Sequence, residues 1–208
     1  MADQRSESTL IVFVKRPQLG KAKTRLAKTV GDEKALEIYK FLLRRTLEVI
    51  QPLTVDIQIH YATSPEPGDM WEQAGFARYS QIGGELGERM HHAIASAFIQ
   101  GYRRVVIMGS DCYQLETDTL QQAFELLASH RAVLGPSTDG GYYLLGMTQL
   151  FPEFFVNKEW STESVGEQTV QDFDRLGIPY SILPPLTDID EESDLITIPL
   201  ERRDSIGI

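Results

Sequence analysis

Positive charge is in short supply: twenty Lys and Arg stand against thirty Asp and Glu, a formal net charge of −10. Nucleic acids and anionic membrane surfaces require a broad basic face, so neither is expected as a partner. Cysteine is scarcer still, with Cys112 alone. One thiol forms no internal disulfide, which excludes a cystine framework of the secreted kind. No stretch approaches the roughly 20 apolar residues of a membrane span, and the opening MADQRSEST has no apolar signal core. The expectation is a soluble, cytoplasmic protein. No repeat, low-complexity run or linker divides the 208 residues, so one domain spanning 1–208 is expected.

The little positive charge present is concentrated. From Ser8 to Gly31 there is no Asp or Glu, and this stretch holds Lys15, Arg16, Lys21, Lys23, Arg25 and Lys28. Elsewhere 14 basic residues face 30 acidic ones, a balance of −16. The island follows LIVFV (10–14), a continuous apolar run of the kind a central parallel strand shows. Pro17 and Gly20 interrupt it. Such a loop can meet phosphate oxygens as point charges and bidentate forks, although a solvated basic turn has the same composition. GKAKT resembles the end of a Walker loop, but Lys15 stands where that motif needs its first Gly. No G-x-G-x-x-G follows a predicted strand, which weakens a dinucleotide-binding reading.

Strand and helix patterns alternate along the chain. Residues 32–50 read as an amphipathic helix capped by Asp32, with Leu36, Tyr39, Leu43, Leu47 and Ile50 on one face. Further helices are expected near 70–74, 86–100, 117–129, 163–176 and 190–196, and strands at 55–61, 105–109, 132–135, 141–147 and 180–184. This order implies a mostly parallel sheet with helices on both faces, whose ligands bind outside the carboxyl ends of the strands.

Three groups of residues satisfy that placement. Asp111 ends the apolar strand VVIMGSDC. Asp188 and Asp190 follow YSILP, and alternate positions of an extended segment can converge on one ion; capping of a tail helix explains them equally well. A Mg²⁺ ion takes only one or two carboxylates, with phosphate and water completing its shell. In GPSTDGGYYLLG, Gly140 and Gly141 permit close backbone approach to a ligand beside Asp139, yet Asp-Gly is also a strong turn signal. In GGELGERM, Arg89 is placed to reach a phosphate from the first turn of a helix, and a glycine-rich helix start reads the same way. Trp160, Ser161 and Thr162 combine a stacking ring with two hydroxyls, or simply precede a helix as its cap.

Taken in order, KRPQLGKAKTRL, GGELGERM, GSDC, GPSTDGGYYLLG, the WST at 160–162 and DIDEESDL resemble a bacterial family long filed as a domain of unknown function. Some of its members are designated arsenosugar-biosynthesis glycosyltransferases. The resemblance covers about residues 10–196 and implies an α/β fold of the glycosyltransferase-A type, in the nucleotide-diphospho-sugar transferase superfamily. It implies a glycosyltransferase dependent on Mg²⁺ or Mn²⁺, acting on a nucleotide sugar and a small-molecule acceptor. KTRL is also similar to guanylyltransferases of deazaflavin-cofactor synthesis. That keeps open a nucleotidyltransferase that joins a nucleoside triphosphate to a phosphorylated acceptor and releases pyrophosphate. A non-catalytic nucleotide-binding protein is the third reading.

The resemblance assigns Lys15, Lys21, Lys23, Thr24 and Arg25 to a nucleotide-phosphate loop, with Gly87 and Arg89 beside it. It assigns Asp111, Asp188 and Asp190 to the cation. Asp139 becomes the acceptor base, with Gly140, Gly141, Trp160, Ser161 and Thr162 around the acceptor. Two departures from the family pattern stand out: Tyr113 replaces a usual Pro, which is expected to reshape the pocket rim, and the usual GDLG reads GGELG. The oligomeric state is left open by the sequence.

Overall fold

The computed structural model describes residues 6–205 and residue 207. A seven-stranded sheet forms its centre, with β1 at Ser8–Val14, β2 at Asp56–Tyr61, β3 at Ala77–Ser80 and β4 at Arg104–Met108. β5 spans Ala132–Pro136, β6 Tyr142–Met147 and β7 Tyr180–Ile182, and the spatial order is β3-β2-β1-β4-β6-β5-β7. All pairings are parallel except those of β6, which runs antiparallel to both β4 and β5. The helices are α1 (Thr24–Val30), α2 (Asp32–Ile50), α3 (Met70–Gln73), α4 (Leu86–Ile99), α5 (Thr117–Leu126), α6 (Val165–Arg175) and α7 (Leu200–Ser205). Among the described residues none is long and apolar enough to cross a membrane.

β1 shows why its run is continuously apolar. Leu10, Val12 and Val14 enter one core layer while Ile11 enters the layer on the other face, because successive side chains of a strand alternate. α2 is likewise wedged between two apolar clusters. Tyr39, Leu43, Val49 and Ile50 pack toward the sheet, and Ala35, Ile38, Phe41 and Leu42 meet Leu26, Ile189, Leu195 and Ile198. Its buried face is therefore wider than the stripe expected from spacing, and Gly31 rather than Asp32 is its N-cap.

Several elements differ from expectation. The basic run is a loop only up to Lys23, beyond which α1 begins. β3 is a four-residue edge strand, mostly exposed, and carries no buried alternation to reveal it. Glu192–Thr197 forms a 3-10 helix instead of an α-helix, and another lies at Pro152–Phe155. The Asp139-Gly140 signal marks a real turn, the connection between antiparallel β5 and β6.

Candidate functional site

The carboxyl ends of β3, β2, β1 and β4 form one edge, and the segments that leave them frame two adjoining cavities. Tyr39 of α2 fixes the start of the basic loop: its hydroxyl accepts from the Lys15 amide at 2.8 Å and donates to the Lys15 carbonyl at 3.1 Å. Arg16 is engaged elsewhere, donating to the Ser64 and Pro65 carbonyls beyond β2. Lys23 then adopts the left-handed conformation, φ 49° and ψ 50°. A non-glycine residue there costs about 1–2 kcal/mol. The turn sends its side chain inward, where the ammonium lies 2.8 Å from Asp111 Oδ2 and 3.0 Å from Asp190 Oδ1. Arg25, largely exposed, approaches Asp190 Oδ2 at 3.7 Å.

Burial alone pulls the Lys23 pKa down, but Asp111 and then Asp190 more than offset this and hold it above the usual lysine value. Burial pushes Asp190 up, while Lys23, then Arg25 and Lys15, bring it below the ordinary carboxylate range. Asp188 behaves oppositely. Burial, then Asp111, push its carboxyl up to about 7; Asp139 and Asp190 add to this and Lys23 opposes it. Four aspartates thus share one region with a single buried ammonium between two of them.

This donor set suits a divalent cation. The carboxylates are hard oxygen ligands, and the raised Asp188 pKa marks negative charge that the protein leaves uncompensated. Yet among the described residues no three His, Cys, Asp or Glu side chains already form a metal cage. A cation held there would draw the rest of its shell from a ligand's oxygens and from water. Helix capping does not account for Asp188 and Asp190. The capping box of the 3-10 helix is formed by Glu191 and Asp194, whose Oδ2 accepts from the Asp190 and Glu191 amides.

The first cavity, about 460 Å³, runs along the sheet edge. Lys15, Lys23, Thr24, Arg25, Asp111 and Asp190 line one part, and Ala62, Gln81, Leu86 and Arg89 another. The second, about 280 Å³, has walls of Phe13, Leu86, Met90, Tyr142, Tyr143 and Trp160, with Asp139, Asp188 and Asp190 as its charged groups besides Arg25. Phe13, Arg25, Leu86, Ser161 and Asp190 border both. No motif marks Phe13 or Gln81 as site residues; only their positions at strand ends point to them.

Close packing builds the second cavity. A Cβ on Gly87 would lie 2.5 Å from the Trp160 indole, so the glycine at the start of α4 is what seats that ring. Gly140 (φ 86°) sits against the Glu163 backbone and accepts from the Gly166 amide at 2.9 Å, clamping the 160–166 segment to the β5–β6 turn. Asp139 serves that turn: Oδ1 accepts from the Ser137 hydroxyl and, at 3.0 Å, from the Gly141 amide. Its Oδ2 has no hydrogen-bond partner among the described residues. Ser161 (φ 66°) and Thr162 border the cavity and do not cap α6, whose N-cap is Ser164.

Lys21 is exposed and, like Gly87 and Gly140, borders neither cavity. Tyr113 is turned away too, stacked on Phe41 at 5.6 Å with the Arg45 guanidinium 5.4 Å from its ring. The expectation that it reshapes the pocket rim is therefore not met. Glu85 stands at the N-cap position of α4 without a side-chain capping bond, exposed together with Gly83 and Gly84, and Glu88 closes the loop by accepting from the Gly84 amide at 2.8 Å.

Residues 46–162 match the bacterial family described as "Uncharacterized protein conserved in bacteria (DUF2064)". A provisionally assigned nucleotide-diphospho-sugar transferase from Desulfovibrio desulfuricans G20 is 35% identical over 96% of this chain and 89% of that one, with a TM-score of 0.86. The chain belongs to this family. Its fold recurs in 4-diphosphocytidyl-2C-methyl-D-erythritol synthase from Anaerococcus prevotii DSM 20548, at 12% identity and a TM-score of 0.59, covering 91% of this chain and 93% of that one. It recurs in glucosyl-3-phosphoglycerate synthase from Mycobacterium tuberculosis, solved with Mn²⁺, UDP and glucosyl-3-phosphoglycerate, at 12% identity and a TM-score of 0.54, covering 98% and 76%. No curated protein sequence matches the chain. The fold is one that these nucleotide-utilising transferases share.

Proposed function

We propose that the protein is a Mg²⁺- or Mn²⁺-dependent glycosyltransferase that uses a nucleotide-activated sugar and a small acceptor bearing a hydroxyl. The observation that supports this reading is the opposite character of the two adjoining cavities. Lys15, Thr24 and Arg25 offer the first cavity charged and hydroxyl groups for a diphosphate. The second cavity presents aromatic walls and three aspartates, with Arg25 its sole cationic side chain among the described residues. Such a chamber suits an acceptor without negative charge, stacked on Trp160 or Tyr142.

Asp111 and Asp188 would hold the cation, which would supply positive charge against a departing nucleoside diphosphate. The protein's own groups do the rest. Arg25, at the junction of the cavities, holds the diphosphate against the sugar. Oδ2 of Asp139 takes the acceptor hydroxyl's proton as the acceptor oxygen bonds to the anomeric carbon and the bond from that carbon to the diphosphate breaks. Oδ1 stays fixed by Ser137 and Gly141, so the carboxylate is already oriented.

The nucleotidyltransferase reading has the basic loop in its favour but must seat a phosphorylated acceptor against Asp139 and Asp188. Products separate the two. Incubation with nucleotide sugars and neutral hydroxyl acceptors should release nucleoside diphosphate, and nucleoside triphosphates with phosphorylated acceptors should release no pyrophosphate. Pyrophosphate release without glycosyl transfer would replace this proposal with the alternative.

A further inference from the structure

We infer that Gln81 and Arg89 read the nucleobase, and that they select one with a keto edge, uracil or guanine, over one with an amino edge, cytosine or adenine. The inference rests on the nucleotide reading of the first cavity and adds what the base must be. The strand order β3-β2-β1-β4 sets Gln81, Ala62, Lys15 and Asp111 in sequence along one sheet edge, each just past the end of its strand. At about 4.8 Å between neighbouring strands, Gln81 lies roughly 14 Å across the sheet from the segment that carries Asp111. That is the reach of an extended nucleoside diphosphate. With its phosphates on the basic loop, its base falls against Gln81 and Arg89, with Leu86 and Phe13 as apolar walls.

The polarity of this pair is fixed by its partners. The Gln81 amide nitrogen donates to the His60 carbonyl at 2.9 Å, and its oxygen accepts from Arg89 Nη1 at 3.2 Å. A carbonyl only accepts and a guanidinium only donates, so the amide has one orientation. Arg89 Nε is directed to the Glu85 carbonyl at 3.4 Å, which orients the guanidinium. Among the described residues, the hydrogens left without a protein partner are the second amide hydrogen of Gln81, the second Nη1 hydrogen of Arg89 and its Nη2 group. These donors outnumber the one remaining lone pair of Gln81 Oε1. A keto oxygen satisfies them, whereas an exocyclic amino group brings donor against donor at two half-buried side chains. His60 itself is held behind Phe13 and Tyr79, with ring centroids 5.9 and 5.0 Å away, so the anchoring carbonyl belongs to a packed strand.

The test is calorimetric titration of the full chain, with Mg²⁺, by two pairs of nucleotides that differ at this edge: UDP with CDP, and IDP with ADP. The inference expects the keto member of at least one pair to bind about 10-fold or more tightly than its partner. Which pair binds separates a pyrimidine site from a purine site. Arg89→Met, checked for folding by its melting curve, should reduce that preference to within about 2-fold by weakening the keto nucleotide much more than its amino counterpart. Equal or tighter binding of the amino members would overturn the inference and leave the nucleotide reading intact. So would an Arg89→Met variant that loses keto and amino nucleotides equally, because Arg89 would then be acting on the phosphates. Binding of none of the four would remove the nucleotide reading, and this inference with it.

Discussion

The Lys23 ammonium lies 2.8 Å from Asp111 Oδ2, with 4% of the lysine side chain exposed against 40% for the aspartate. A buried cation is tied to two half-exposed acids that face the cleft, so one lysine contributes both to holding the fold together and to setting the charge of the site. Removing it strands Asp111 and Asp190. Breaking a buried pair costs about 3–5 kcal/mol, and solvent screening of the acids reduces this to about 1–3 kcal/mol for Lys23→Met. Urea denaturation should show that loss. It should also show a double variant with Asp111→Asn losing less than the sum of the two singles, since they share one interaction.

Arg25 offers the contrasting case. It is largely exposed and borders both cavities, so Arg25→Ala should leave the melting temperature within about 1 °C of the parent. A charged hydrogen bond to phosphate is worth about 1.5–3 kcal/mol, so nucleotide affinity should fall about 10- to 150-fold. Calorimetry showing unchanged affinity would place the phosphates away from Arg25.

Asp188 predicts a pH dependence. Its folded-state pKa of about 7 lies above the ordinary value of 3.8, so the folded form holds the proton more tightly. Its contribution to stability is fully present below about 3.8 and is lost as pH rises through about 7. Metal-free Asp188→Asn should therefore melt higher than the parent, and by more at pH 8 than at pH 5. Each kcal/mol relieved corresponds to about 2–4 °C in a chain of this size. An equal shift at both pH values would mean that Asp188 titrates normally.

Gly87 tests the acceptor cavity without touching the nucleotide groups. Gly87→Ala places a methyl 2.5 Å from the Trp160 ring, which must swing aside. The acceptor KM should rise about 10- to 100-fold, with a shift in Trp160 emission and an unchanged nucleotide Kd. A parallel rise in both constants would show that the two cavities are not separable.

The sequence made some of this legible and hid the rest for physical reasons. β1 and α2 were readable because buried surfaces leave periodic apolar marks, and the strand-end rule led to Asp111 and Asp188, which line the two cavities. The reversal of β6 was not readable, since YYLLG has the same composition in either direction. Lys23 read as a lysine of the phosphate loop, because nothing in KTRL reveals the left-handed backbone that turns it inward onto Asp111 and Asp190. Tyr113 looked consequential because it replaces the Pro usual in the family pattern, whereas its ring stacks on Phe41 and borders neither cavity. Donor polarity at Gln81 depends on a carbonyl from a neighbouring strand, which no local pattern encodes.

The Ile189 amide donates to the Asp111 carbonyl at 3.0 Å, stitching the segment that carries Asp188 and Asp190 to the end of β4. Lys23 and Asp190, the two halves of one ion pair, are 167 residues apart, so the basic loop is synthesised long before the segment that completes it. Until that segment docks, Lys23 lacks one of the two acids that draw it inward, Arg25 lacks its acidic neighbour, and the second cavity lacks a wall. The charge of the basic loop is therefore set by a late long-range contact and not by the loop itself.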